Sequence, residues 1–92
     1  MQIQNLQPAL ERGGGNMQTI AYFDLELSDD VRMYGLRLMQ APDGRRVVYA
    51  ANANGGRRTA TFAPTLAATI SAAATQKLEG HDTANGNQQK FA

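Results

Sequence analysis

Thr19-Ile-Ala-Tyr-Phe-Asp-Leu-Glu-Leu27 and Val31-Arg-Met-Tyr-Gly-Leu-Arg-Leu-Met39 decide the fold. Each run alternates its side chains with the period of two that a strand requires. Ser28-Asp29-Asp30 between them are turn formers, so the pair reads as a β-hairpin. Placing Leu27 opposite Val31 sets Leu25 against Met33, Phe23 against Gly35 and Thr19 against Met39 on one largely apolar face. The other face then pairs Glu26 with Arg32, Asp24 with Tyr34, Tyr22 with Leu36 and Ile20 with Leu38. Opposite charges meet across the strands, and the Phe23 ring covers the bare Gly35. A slip of one residue would carry Asp24 and Glu26 into the core, so this register is strongly selected. A helix is expected over the apolar face. The second face, charged near the loop and apolar at its far end, suggests a further partner.

Outward from the hairpin, Ile3 to Leu10 reads as a first strand, and Pro8, which cannot donate to a ladder, places it at an edge. Gly13-Gly14-Gly15 with Asn16 makes a flexible connection. A phosphate cradle there would need a helix to start directly after it, and the following residues are strand-like. Ala41-Pro-Asp-Gly44 has the residues of a type I turn, and Arg46 to Ala50 follows as a fourth strand. Asn52 to Gly56 is a loop, and Arg58-Thr-Ala-Thr-Phe62 reads as a fifth strand. From Thr65 the period changes: Leu66, Ala67, Ile70, Ala73, Ala74, Lys77 and Leu78 recur at helical spacing. Thr65 suits the N-cap, Pro64 is also allowed in the first turn, and Gly80 is placed to end the helix. The polar segment from His81 onward is expected to be disordered. The expected organisation is an edge strand and glycine-rich connection over 1–16, an α+β domain over 17–79 and a tail over 80–92. The fold class is α+β: an antiparallel meander of four to five strands with one C-terminal helix packed on one face, as a dimer.

A chain of 92 residues makes one domain, and a domain this small buries only about 60% of its unfolded surface. It has no cysteine, so neither a disulfide nor a cysteine-ligated zinc can reinforce it. Oligomerisation is the remaining common support, and a homodimer is expected. No run approaches the roughly 20 apolar residues of a membrane span. No basic region followed by an apolar stretch marks a secretory signal. The cytoplasm is the expected compartment, with no membrane partner.

Groups suited to catalysis are sparse. His81 is the one histidine, and no His, Cys or carboxylate cluster has metal-ligand spacing. No serine has an evident base. Asp24 and Glu26 share a strand face and could form a carboxylate pair, but the cross-strand arginine makes a structural ion pair the better reading. Met17, Met33 and Met39 read as core filler. No enzyme activity, cofactor, metal or small-molecule substrate is expected. Net charge is only +1 but unevenly placed. Asp24, Glu26, Asp29 and Asp30 gather in one stretch, while Gly44 to Leu78 holds Arg45, Arg46, Arg57, Arg58 and Lys77 and no acid. The four arginines are the candidate nucleic-acid contacts, because a guanidinium donates in pairs to phosphate. The plain alternative is that they solvate two hairpin ends. Tyr49 and Phe62 lie close enough in sequence to stack on bases but read as core.

With this meander laid out, the chain resembles the SpoVG-like family, the stage V sporulation protein G or septation-regulator proteins of bacteria. The carrying residues are Ile20-Ala-Tyr-Phe-Asp-Leu25, then Leu27 to Met39 ending in Gly35-Leu-Arg-Leu-Met39, then Asp43-Gly44. Val47-Val48 with Ala50 resemble that family's next strand, and Phe62-Ala-Pro64 stands where it opens its C-terminal helix. The likeness spans roughly Met17 to Ala74. It implies a small α+β protein that dimerises through its sheet and binds DNA, in some members RNA, as a regulator. The family's helix carries an arginine that bears on DNA contact. Ile70 stands there in this chain, which leaves the contact to Arg45, Arg46, Arg57 or Arg58. The leading expectation is a dimeric, non-catalytic, nucleic-acid-binding regulator. The alternative is a structural or protein-interaction module on the same dimer fold.

Overall fold

The computed structural model describes residues 1–12, 15–52 and 54–89; for 12, 54 and 81–89 only the backbone is described. Four strands, β1 (Gln2–Arg12), β2 (Gln18–Ser28), β3 (Val31–Gln40) and β4 (Arg46–Tyr49), form one sheet in the order β1-β2-β3-β4. All three pairings are antiparallel. A single helix, α1 (Pro64–Gln89), packs across one face and touches both edge strands. The α+β meander and its helix are thus as the sequence implies.

The hairpin register departs from the simple alternation at a definite place. Leu25 faces Met33 and Glu26 faces Arg32, as expected, and Thr19 faces Met39. Between these points Phe23 faces Leu36, Tyr22 faces Arg37 and Ala21 faces Leu38. The shift arises because Tyr34 and Gly35 together oppose the single residue Asp24, a bulge in β3. Gly35 sits at φ +69°, which glycine adopts without the Cβ penalty of other residues. A compensating irregularity at Ile20 in β2 restores the original register at Thr19. The expected pairings of Phe23 with Gly35 and of Tyr22 with Leu36 are therefore corrected. The loop is also tighter than expected: Ser28 faces Val31, leaving Asp29 and Asp30 as the turn.

β1 is bulged opposite the same region. Its register shifts between Gln4 and Gln7, beside Phe23, and Asn5 there takes φ +54°. Asn5 Nδ2 donates to Asp24 Oδ2 at 2.9 Å, and the Gly35 N–H donates to Asp24 Oδ1 at 3.0 Å. One carboxylate on the central strand thus holds the bulges of both neighbours. These donors, Asn5 first and then Gly35, hold the Asp24 carboxyl below its ordinary value of 3.8, against a smaller effect of burial.

The bulge decides which side chains reach the core. It brings Leu36 and Leu38 to the helix side, where they are fully buried beside Ala21, Phe23, Leu25 and Val48. Ile70, Ala74 and Leu78 of α1 close over them, with Leu66, Ala67 and Ala73 at the margin. The small alanines let helix and sheet approach closely. Pro64 occupies the first helical position, where its missing N–H costs nothing, and the Ala67 N–H donates to the Ala63 carbonyl at 2.8 Å.

Two further expectations are corrected. Arg58 to Phe62 does not form a strand: the segment has only an isolated bridge between Asn52 and Arg58. Its alternation is that of an extended segment with one side on protein, for Ala60 and Phe62 are half-buried while Thr59 and Thr61 are exposed. Thr59 Oγ1 bonds the Ala51 carbonyl, and Gly55 and Gly56 at φ +81° and +77° turn the chain there. The helix also runs through Gly80 to Gln89, into the expected tail. Glycine inside a helix costs only about 1 kcal/mol and does not terminate it. Residues 90–92 of that tail, and Gly13 and Gly14 of the glycine run, lie outside the described residues.

Asp24→Ala should destabilise the fold by about 0.5–1.5 kcal/mol at neutral pH, since it removes two exposed hydrogen bonds that tie the bulges together. Because the folded-state pKa is depressed, this contribution is present above the ordinary carboxylate value of 3.8 and is lost as pH falls through the folded value. Urea denaturation of both proteins at pH 7 and at pH below 4 should show the gap shrinking in acid. A gap that is constant with pH would show that the Asp24 charge does not hold the bulges.

Candidate nucleic-acid interface

The face opposite α1 carries the polar members of the alternation. Near the β2–β3 loop these are Glu26, paired with Arg32 at 3.5 Å, and Gln4, which donates to Glu26 at 3.2 Å. Asp24 follows, occupied by its two donors. Glu26 thus makes the expected cross-strand ion pair with Arg32, while Asp24 is held by two neutral donors.

Farther along, the shifted register aligns three residues in a row across three strands. Tyr22 of β2 faces Arg37 of β3, and Arg37 faces Tyr49 of β4. Arg37 lies between the buried Leu36 and Leu38, so it points away from the core. The Tyr22 hydroxyl donates to Glu11 Oε1 of β1. This hydrogen bond, with burial and the Glu11 charge, raises the Tyr22 phenol above 10.0, and the nearby Arg37 charge opposes the rise. Tyr49 ends the row at the sheet edge, 39% exposed, where the sequence reading made it core.

The loop after β4 comes alongside this row. Arg37, Tyr49, Arg58, Asn52, Met17, Met39 and Gly56 line a groove of about 450 Å³. No acidic side chain among the described residues lines it. It offers two guanidinium groups, an aromatic ring and the Met17 thioether, a set suited to phosphates and flat aromatic groups.

The four sequence-selected arginines separate. Arg58 lines the groove, and Arg57 precedes it, exposed, in the same loop. Arg45 lies in the β3–β4 turn, where its backbone N–H bonds Asp43 at 2.9 Å and its side chain stands 3.8 Å from the same carboxylate. Arg46 belongs to the other face. Its Nε donates to Gln40 at 2.9 Å, its carbonyl accepts from Ser71 of α1 at 3.4 Å, and its Nη1 is buried without a hydrogen-bond partner. Strand alternation separates Arg46 from Tyr49 by an odd number of steps, so the two leave the sheet on opposite sides. Arg37 is the member that sequence reading missed. In the unbulged register it faces Ala21 within the core side, and only the offset at Gly35 turns it outward.

Among the described residues no group of three His, Asp or Glu side chains is placed to hold a metal ion, and no helix is long and apolar enough to cross a membrane. No family model matches the chain, and no curated protein or solved structure matches it.

Glu11→Gln should bring the Tyr22 phenol down toward 10.0, because it removes the charged acceptor. An absorbance titration of phenolate, with Tyr22→Phe to assign the step, reads this directly. An unchanged titration would place Glu11 away from Tyr22 in solution.

Proposed function

We propose that this chain is a small, non-catalytic, nucleic-acid-binding regulator of the SpoVG-like type, acting in the cytoplasm as a homodimer on DNA or RNA. The observation that carries the reading is the acid-free groove in which Arg37 and Arg58 converge beside Tyr49. Two arginines and an aromatic ring on one open sheet face match the chemistry of a phosphate backbone with bases attached. The sequence resemblance supports the same class. The dimer is supported by the modest core and by the unpaired edges of β1 and β4.

Binding should weaken with salt, because phosphate neutralisation releases counterions. Removing one phosphate-contacting arginine flattens the log–log salt slope by about one and weakens binding similarly for all sequences. Arg58→Ala and Arg57→Ala should do this. Arg45→Ala, whose side chain stands by Asp43, and Arg46→Ala, whose side chain is bonded to Gln40 away from the groove, should change the slope less. Fluorescence anisotropy with labelled DNA and RNA at two salt concentrations measures it. Absence of affinity for either at about 50 mM salt would overturn the reading and favour a protein-interaction module on the same fold.

A further inference from the structure

We infer that the nucleic acid taken at this face is single-stranded, with a base laid on the Tyr49 ring and the adjoining phosphates held by Arg37 and Arg58. The inference rests on the nucleic-acid reading above and adds the form of strand.

Three features of the face select that form. The first is the ring itself. Tyr49 stands 39% exposed at the end of the Tyr22–Arg37–Tyr49 row, beside a groove lined by Met17 and Met39. A stacking ring and the half-buried Met17 thioether gain from contact with the flat face of a base. In a duplex those faces are covered by neighbouring base pairs, and only edges and phosphates are offered. The second is shape. The major groove of B-DNA, about 12 Å wide, is entered by a helix or a two-stranded ribbon. Here α1 lies on the opposite side of the sheet, against Ile3, Phe23, Leu38 and Val48. The outward surface is the sheet itself, which is the platform on which unpaired bases are splayed and stacked. The third is charge. The two guanidinium groups of the groove are complementary to a backbone, no acidic side chain among the described residues lines it, and Glu26 of the same sheet face is paired with Arg32.

Tyr49→Ala and Tyr49→Phe test it in the full chain, with labelled oligothymidine of about 12 nucleotides and a duplex of equal length as probes, a size within the range of sheet-platform sites. Anisotropy at about 50 mM salt keeps the phosphate contribution visible. The single strand should bind about tenfold or more tighter than the duplex, and Tyr49→Ala should weaken it by about 5- to 100-fold, the worth of one stacked base. Tyr49→Phe keeps the ring and should stay within about twofold of the parent. Tyr49→Ala should leave duplex affinity unchanged, which shows that the variant is folded, and Tyr49→Phe, which keeps the ring and its packing, should melt with the parent. Equal or tighter duplex binding would overturn the inference. So would loss of affinity for both probes in Arg58→Ala with none in Tyr49→Ala, which leaves the nucleic-acid reading standing. Failure of the parent to bind either probe would overturn the inference, and failure to bind labelled RNA as well would remove both readings.

Discussion

The Asp24 carboxylate, set between two bulged strands, is the constraint on which the sheet depends. It accepts from Asn5 on one side and from the Gly35 backbone on the other. Both donors belong to residues in the left-handed region, at φ +54° and +69°. Asparagine and glycine are the residues that reach this region most readily, and a short polar side chain there can bond locally. The carboxylate therefore does not merely decorate the outer face. It accepts the Gly35 backbone N–H at the β3 bulge and the Asn5 side-chain amide at the β1 bulge, and so ties the two irregularities together.

The consequence is an exchange of faces along β3. Without the offset, Leu36 and Leu38 would look outward and Arg37 would be directed at the helix. With it, the leucines complete a core against Ile70, Ala74 and Leu78, and Arg37 emerges between two tyrosines. Packing and surface chemistry are thus set by one backbone step. A charge under α1 would be costly to bury, and two exposed leucines would forfeit the burial that a domain this small needs. Core and groove favour the same register, which is the mutual consistency expected of a sequence that specifies one structure.

Much of this was legible in the residues. The antiparallel order of the first four strands, the Glu26–Arg32 pair, the turn at Ala41 to Gly44 and the inner face of α1 follow from alternation, turn chemistry and helical spacing. The bulge was not, because a two-residue period has no term for an inserted residue. Gly35 was its only mark in β3, and a glycine within a strand fits a bulge or a close approach equally well. That one offset hid Arg37. The fifth strand failed for a different reason: Thr59 and Thr61 have the propensity, but β4 ends at Tyr49 and its continuation offers Arg58 only a single bridge. Gly80 likewise signals a helix end by preference, while nothing after it, such as a proline, forbids the helix from continuing.

Core and groove both depend on the offset at Gly35. Nuclear Overhauser contacts across the β2–β3 ladder test it most directly, since they report which backbone protons face each other in solution. The bulged sheet predicts cross-strand contacts of Tyr22 with Arg37 and of Phe23 with Leu36, together with those of Leu25 with Met33. Contacts of Tyr22 with Leu36 and of Phe23 with Gly35 would contradict it, returning Arg37 to the helix side and dissolving the groove.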